Sequence, residues 1–154
     1  MFLVSDTIVK RHAKIRSFIK KDPAIAVILA AADFEWTVRR AILALGRSPT
    51  KHIREKVLAN CTGLEKYKNA WKEEVKPRLN SDLAIVVPNW FVFSKQAYPL
   101  RHRLIHGVVG TTGHDYAKEK IDTILGASKA VVDYSLSKSE PLYGRKIVRR
   151  KSRN

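Results

Sequence analysis

The feature that most constrains the fold is a long helical pattern between Asp22 and Gly46. Its central segment, AIAVILAAADFEWTVRRAILALG, is apolar on nearly all sides at first and becomes amphipathic further along. Asp22 followed by Pro23 is typical of a helix N-cap with proline in the first helical position, and Gly46 stands where a left-handed C-terminal cap is usual. A helix that is apolar on most sides belongs at the centre of a bundle. We therefore expect one long core helix here.

Helical periodicity also precedes this segment. Ile8, His12, Ile15 and Ile19 are spaced by four, three and four residues, which predicts a first amphipathic helix with these side chains on its apolar stripe. Basic residues, Arg11 among them, are expected on the opposite, polar side.

Two shorter helices are predicted after the core helix, and both are expected to be exposed. Ser48 and Thr50 can cap the first of them. Thr62 and Glu65 have the spacing of a capping box, which predicts the start of the second, and Pro77 is expected to stop it.

The segment DLAIVVPNWFVFSKQAYPL is ambiguous, because its β-branched and aromatic residues suit a strand while its prolines break regular elements. We favour helix after Pro88, kinked or restarted at Pro99. Asp115 is then expected to cap a last helix that runs to about Lys138. The expected apolar side of that helix comprises Tyr116, Ile121, Ile124, Leu125, Val131, Val132 and Leu136.

These patterns predict an all-α domain of about five to six helices, and the composition agrees with one compact domain. The chain has 154 residues, of which 45% are apolar, enough for a single hydrophobic core. Thirty Lys and Arg against fourteen Asp and Glu give a formal charge of +16. Such an excess is characteristic of proteins that bind polyanions, and we expect nucleic acid rather than an anionic membrane surface.

The C-terminal residues 144–154, GRKIVRRKSRN, hold six Lys and Arg and no acid. They follow Pro141 and Gly144, which interrupt a helix. We therefore divide the chain into a helical domain, residues 1–140, and a disordered basic tail, residues 141–154. The tail residues expected to bind RNA are Arg145, Lys146, Arg149, Arg150 and Lys151.

Several classes of protein are disfavoured by the sequence. The longest apolar run, residues 24–32, is shorter than the roughly 20 residues that a membrane-spanning helix needs. The first residues, MFLVSDTIVKRHAK, lack the pattern of an export signal, so we expect a cytoplasmic protein without a membrane partner. Cys61 is alone, which removes disulfide and zinc-thiolate frameworks and predicts a buried thiol. No cofactor or metal is expected.

The segment PLRHRLIHG, residues 99–107, combines permanent cations with titratable imidazoles. Arg101 and His106 enclose four residues, His102 follows the arginine, and Gly107 ends the element. This pattern resembles the motif of the HEPN family (higher eukaryotes and prokaryotes nucleotide-binding), whose RNase members carry Arg, a polar residue, three further residues and His. The resemblance covers roughly residues 5–138, and it implies an all-helical bundle and metal-independent cleavage of RNA.

The residue types suit that chemistry. In RNA the 2′-hydroxyl can attack the adjacent phosphorus, so an enzyme needs a base, an acid for the leaving 5′-oxygen, and positive charge at the phosphate. An imidazole with an ordinary pKa near ~6.5 can exchange protons at neutral pH, and we assign that task to His106. Arg101 is expected to hold the phosphate oxygens, His102 to orient the RNA, and Arg103 to contact it.

One chain is not expected to complete the site. At about 100° per residue, Arg101 and His106 are about 140° apart on an ideal helix and do not share a face. HEPN RNases dimerise so that two motifs face each other, which implies a homodimer with a composite site. The resemblance also implies a toxin of a toxin–antitoxin or phage-defence system, with an antitoxin or other defence protein as a possible partner. One subgroup is silenced by modification of a Tyr two residues after the motif His, and that position is Val108 here.

Glu35 is a further candidate catalytic residue, because some HEPN RNases have an acidic residue on the corresponding helix. The alternative is an ordinary helix ion pair with Arg39, four residues on, which contributes roughly 0.3 to 0.5 kcal/mol. The tryptophans are assigned to the core rather than to RNA.

Two other functions stay open. His102 and His106 are four residues apart, a spacing with which a helix can offer two imidazoles to a metal, and His114 or Asp115 would supply a third ligand. The main alternative is a non-catalytic basic helical module that binds RNA or a ribonucleoprotein, with the same motif lining a binding groove.

Overall fold

The protein is all-helical. The computed structural model describes residues 5–144, and this part of the chain contains no β-strand. Two stretches, Ile53–Val57 and Phe93–Ala97, have π-helical hydrogen bonding. The α-helices are α1 (Ile8–Ser17), α2 (Pro23–Leu45), α3 (Thr50–His52), α4 (Leu64–Glu74), α5 (Lys76–Leu79), α6 (Leu83–Val86), α7 (Trp90–Val92), α8 (Tyr98–Ile105) and α9 (His114–Ser137).

Helices α2 and α9 pack along each other and form the centre of the bundle. The predicted long core helix is confirmed, and its N-cap is Asp22, whose carboxylate accepts a hydrogen bond from the Ile25 backbone N–H at 3.1 Å. Because α1, α4 and α8 all contact α2, this helix is buried on nearly every side. The apolar side chains that these two helices bury completely include Val27, Phe34, Val38, Ile42, Ile121, Ile124 and Val131.

Gly46 caps α2 for a different reason from the one expected. Its backbone is extended, with φ −60° and ψ 156°, so the predicted left-handed cap is wrong. Glycine is required here by close packing, because a Cβ would lie 2.5 Å from Ile53 Cδ1 and 2.6 Å from the Ile42 carbonyl oxygen. The end of α2 is therefore closed against the π-helical stretch that follows α3.

The helices expected to be exposed after α2 contribute to the core. Trp71 on α4 and Ile53 are fully buried. Ser48 does not cap α3; instead its hydroxyl and backbone N–H bind the two carboxylate oxygens of Glu74, each at 2.9 Å. Thr50 lies within α3 as a buried residue.

The predicted start of α4 is wrong. Gly63 precedes α4 in a left-handed conformation, with φ 79°, and no side chain caps the helix. Glycine adopts this φ readily because it has no Cβ. The chain therefore enters α4 through Gly63 and not through the capping box expected at Thr62 and Glu65. Helix α4 ends at Glu74, ahead of Pro77, and Pro77 lies in the first turn of α5, where a missing N–H is tolerated.

The ambiguous segment is helical after Pro88, as favoured. Helix α7, the π-helical stretch Phe93–Ala97 and helix α8 run on continuously, and Pro99 occupies the first turn of α8. Proline is accommodated there because the wider π turn ends immediately before it.

Helix α9 begins two residues earlier than expected. Gly113 is its N-cap residue, and Asp115 lies within the first turn rather than at the cap. An acidic side chain in the first turn favours the helix through the macrodipole. Tyr116 and Leu136, expected on the apolar side, are 45% and 58% exposed, so the buried side of the helix does not include them.

Helix α1 carries a buried ionic cluster that its apolar stripe did not predict. Arg11, expected on the polar side, is fully buried and donates from Nε to Asp33 Oδ1 at 2.8 Å. His12 Nε2 lies 3.3 Å from the other oxygen of Asp33. Burial alone would raise the pKa of this carboxyl, but His12 and Arg11 hold the pKa of Asp33 below its usual value.

Residues 141–144 pack against the middle of α2. The Leu142 carbonyl accepts a hydrogen bond from Arg40 Nε at 2.7 Å, and the hydroxyls of Tyr143 and Thr37 are 2.5 Å apart. The first residues assigned to the tail are therefore held on the bundle. The five tail cations expected to bind RNA, in residues 145–154, lie outside the described residues.

Cys61 is buried, as predicted, and burial raises the pKa of its thiol. Within residues 5–144 no helix is long and apolar enough to cross a membrane.

Candidate functional site

Helix α8 positions the residues of the motif. Its buried side contains Leu100, and at about 100° per residue Arg101 and Arg103 fall on the two flanks of that side. His102 and His106 then lie between the two arginines on the exposed surface, at about 100° and 140° from Arg101. The order around the helix is therefore Arg101, the two histidines, and Arg103.

The Arg101 flank faces α2. Arg101 Nη2 lies 3.6 Å from Glu35 Oε1, with 30% and 20% of the two side chains exposed. The same oxygen of Glu35 accepts a short hydrogen bond from the Tyr98 hydroxyl. Burial and the neighbouring carboxylate raise the pKa of Tyr98, so its phenol stays protonated and continues to donate. Glu35 is thus held between Tyr98 and Arg101.

The alternative pairing of Glu35 with Arg39 is not formed within the described part of the chain. Arg39 turns instead toward the end of the π-helical stretch after α3, where its Nη1 donates to the Leu58 carbonyl at 3.1 Å. The same nitrogen reaches the Cys61 carbonyl and the Tyr67 hydroxyl, each at 3.4 Å. Arg39 therefore connects α2 to the loop before α4, and Glu35 contacts Arg101 instead.

His102 and His106 form a pair on the surface. Their ring centroids are 4.2 Å apart and the rings are tilted by 46°. Both residues are exposed, and within residues 5–144 neither side chain has a hydrogen bond or an ion pair. Two adjacent imidazoles that face solvent are free to bind or protonate a ligand on the outside of the bundle.

Gly107 ends the motif with a change of direction. Its φ is 68°, a left-handed conformation that glycine adopts without strain. The chain then folds back, so that the N–H groups of Val108 and Val109 donate to the Arg103 carbonyl at 2.9 and 3.3 Å. Replacing Gly107 would disturb the end of α8 and with it the position of His106.

Two open grooves border the flanks of α8. One, of about 480 Å³, reaches Tyr98 from the loop before α4. The other, of about 420 Å³, lies between the π-helical stretch Phe93–Ala97 and the start of α9, and Arg103 lines it. The basic residue Lys95 borders both grooves.

Among residues 5–144, the histidine pair has no third potential metal ligand beside it. In the part of the chain that the structure describes, no three His, Cys, Asp or Glu side chains are grouped as a metal site would require. His114 and Asp115, the expected additional ligands, face each other, with Nδ1 and Oδ1 3.1 Å apart.

The sequence brought forward Arg101, His102, His106, Arg103 and Glu35, and the structure joins Arg101 directly to Glu35. It does not join His106 to either of them by a hydrogen bond or ion pair among the described residues. Sequence reasoning missed the residues that border the site. Tyr98 precedes Arg101 by one helical turn, a signal that was available, whereas Lys120 and Tyr116 come from a different helix.

The chain matches no protein-family model, and it matches neither a curated protein nor a solved structure. The fold and the site define an all-helical basic protein with an exposed arginine–histidine surface.

Proposed function

We propose that this protein is a metal-independent endoribonuclease that cleaves RNA by attack of the 2′-hydroxyl on the adjacent phosphorus. One observation carries the proposal: helix α8 presents an exposed pair of imidazoles, His102 and His106, together with Arg101, which contacts the carboxylate of Glu35. Arginine, histidine and a positioning acid are the groups that this reaction uses.

Arg101 acts on the phosphate. Its planar guanidinium can bind two phosphate oxygens at once and stabilise the charge that develops on them. Glu35 acts through Arg101, because the contact at 3.6 Å limits the directions that the guanidinium can take. Tyr98, which donates to Glu35, fixes the carboxylate in turn.

His106 exchanges the proton, and His102 orients the RNA beside it. A general base must remove the proton of the 2′-hydroxyl, and a general acid must protonate the leaving 5′-oxygen. The two rings of one chain are only 4.2 Å apart and share one face. A second copy of the chain would bring its own pair to the other side of the phosphate, so we propose that the site is completed in a homodimer.

The surface beside the motif supports a dimer. Ile105 is 45% exposed and Val108 is 68% exposed, and both flank His106 in the sequence. Apolar side chains that remain exposed next to functional residues are typical of contact surfaces.

The biological setting is proposed from the likeness of the motif alone. HEPN-type RNases with this arrangement of Arg and His act in toxin–antitoxin and phage-defence systems, and we propose the same setting here. An antitoxin would silence the protein by covering α8. Silencing by modification two residues after His106 is not proposed, because Val108 lacks a hydroxyl.

A cleavage assay in EDTA tests the function. Purified protein is incubated with labelled single-stranded RNA, alongside the variants Arg101→Ala and His106→Ala. We expect the wild type to cleave and both variants to be inactive or nearly so. His52→Ala, which removes an exposed histidine of α3, is the matched control and should cleave normally. RNA bound without cleavage in every sample would contradict the proposal.

The second candidate function is the non-catalytic RNA-binding module. It is favoured by the Glu35 contact, because a carboxylate beside Arg101 offsets part of the charge that a phosphate would meet. The EDTA assay separates the candidates: the module binds without cleaving, and a metal hydrolase using His102 and His106 would be active only when EDTA is left out.

A further inference from the structure

The groove on the Arg103 flank of α8 is basic. Its volume is about 420 Å³ and it is open to solvent. Three of its lining residues carry a permanent positive charge and none is acidic. The lining residues are Lys95, Gln96, Pro99, Arg103, Tyr116 and Lys120.

Lys120 is held in the groove wall. Its side chain is only 7% exposed, and its ammonium lies 5.0 Å from the centre of the Tyr116 ring. Its ionic partner is Glu119, with 3.0 Å between Nζ and Oε1, but 68% of that carboxylate side chain is exposed. Water screens an exposed carboxylate, so Glu119 compensates the buried ammonium only weakly. An anion in the groove would compensate it better.

Arg103 has an unsatisfied donor. Its Nε is buried and has no hydrogen-bond partner in the part of the chain that the structure describes. Buried polar groups in folded proteins nearly always have a partner, and a buried N–H of a guanidinium is especially costly to leave without one. A phosphate oxygen accepts from guanidinium groups in bidentate geometry. The groove thus combines an unsatisfied arginine with a buried lysine.

We propose that this groove binds a phosphodiester group of single-stranded RNA, one that neighbours the phosphate cleaved at Arg101. The proposal rests on the proposed function for the identity of the ligand. Because the histidines lie between Arg101 and Arg103 around α8, a strand that crosses this helix meets Arg101 first, then the imidazoles, and then the groove. Tyr116, 45% exposed at the rim, offers a ring on which a base can stack.

The companion groove at Tyr98 does not share this character. It contains Glu65 as well as Lys66 and Lys95, so an acid opposes its cations. We therefore expect the RNA strand to run from Arg101 toward α9, into the groove that Arg103 and Lys120 line without an acid.

Binding can be measured apart from cleavage. A fluorescently labelled, fully 2′-O-methylated octanucleotide keeps its phosphates but lacks the attacking hydroxyl. Its affinity is measured at several salt concentrations for the wild type, Arg103→Gln, Lys120→Gln and Lys95→Gln. Lys129→Gln is the matched control, because Lys129 is nine residues beyond Lys120, on the opposite side of α9, and is 63% exposed.

We expect Arg103→Gln and Lys120→Gln each to weaken binding about tenfold or more, the loss typical of one charge-assisted contact. The slope of log affinity against log salt should flatten by about 0.7 for each cation removed. Lys120→Arg should restore both values, because it keeps the charge. Lys129→Gln should leave affinity and slope nearly unchanged.

Groove variants that bind like Lys129→Gln would overturn the proposal. Lys95→Gln keeps the test decisive if a buried substitution prevents folding, because Lys95 is exposed.

Cleavage of ordinary RNA is measured in parallel. If the wild type binds but never cleaves and the groove variants lose affinity, the phosphate site stands and the ribonuclease fails. If the wild type cleaves and the groove variants bind normally, only the phosphate site fails. The same variants are also tested with a free mononucleotide. If they weaken its binding as much as that of the octanucleotide, the ligand is not an RNA strand.

Discussion

Glu35 and Arg101 face each other across the interface of α2 and α8, with 3.6 Å between Glu35 Oε1 and Arg101 Nη2. They are 66 positions apart in the sequence, and the packing of two helices brings them together. The carboxylate is itself bound by the Tyr98 hydroxyl. A carboxylate beside an arginine favours one direction of the guanidinium and lowers the local net charge, and both consequences can be measured.

Glu35→Gln separates these consequences. The amide still accepts from Tyr98 but no longer attracts the guanidinium, so we expect RNA cleavage to fall by about tenfold or more, in kcat, because Arg101 is less well positioned. RNA affinity should stay the same or rise, because a negative charge beside the phosphate site is lost. Glu55→Gln, an exposed substitution with the same change of charge, is the control. A rise in KM with kcat unchanged would show that Glu35 does not position Arg101.

His106→Ala and Arg101→Ala are expected to differ. Removing the imidazole removes proton transfer, a contribution of typically 10²- to 10⁴-fold in rate, and should leave RNA affinity within a few fold. Removing the guanidinium removes a permanent charge, so Arg101→Ala should weaken binding by about 1.5 to 3 kcal/mol as well. Single-turnover cleavage and binding to a 2′-O-methylated RNA measure the two effects. Equal loss of affinity in both variants would contradict the assigned roles.

The cleaved ends report the mechanism. Attack by the 2′-hydroxyl leaves a 2′,3′-cyclic phosphate on one fragment and a free 5′-hydroxyl on the other, and mass spectrometry identifies both. DNA and 2′-O-methylated RNA should resist cleavage, because each lacks the nucleophile. Fragments with 5′-phosphate ends would exclude this reaction.

The composite site requires a dimer. Light scattering at micromolar concentration should give twice the mass of the 17.5 kDa chain. Val108→Glu places a charge on an apolar side chain that is 68% exposed, and it should produce a monomer that binds RNA but does not cleave it. Ser137→Glu, exposed at the far end of α9, makes the same change of charge and is the control. A monomeric wild type with full activity would rule out sharing of the site between two chains.

Asp33→Asn tests the buried cluster. Asp33 and Arg11 are both fully buried, and loss of one charge from such a pair leaves the other without compensation. We expect the free energy of unfolding to fall by about 3 to 5 kcal/mol and Tm by about 10 °C. Asp133→Asn removes the partner of Lys129 in an exposed pair and should cost less than about 1 kcal/mol. Similar losses in the two variants would show that the buried pair does not stabilise the fold.

Asp33→Asn also tests how the stability of the fold depends on pH. The pKa of Asp33 is lowered in the folded protein, so the carboxylate stabilises the fold fully above its ordinary pKa of 3.8. This contribution is lost as the pH falls through the lower, folded-state pKa. Denaturation at pH 7 and at decreasing acid pH should show the difference between wild type and Asp33→Asn shrinking below about pH 4.

The sequence predicted the elements that depend on local chemistry. The long helix α2 follows from its apolar residues and from Asp22–Pro23, whose capping geometry needs only neighbouring backbone. Helix was also favoured after Pro88, and helices are found there. The relation of His102 to His106 was also predictable, since residues four apart on a helix always share a face.

Contacts between helices were decided by the tertiary structure. The helical stripe placed Arg11 in solvent because a stripe records which side of a helix is apolar and carries no information about a buried acid on another helix. Gly46 was assigned a left-handed cap, yet the close approach of Ile53 requires it to be glycine. At the site, the sequence contained Arg101 and Glu35 but left Arg39 as an equal partner for the acid. The packing of α8 on α2, and the carbonyls that take up Arg39, settled that choice, because pairing depends on distances that no spacing along one chain specifies.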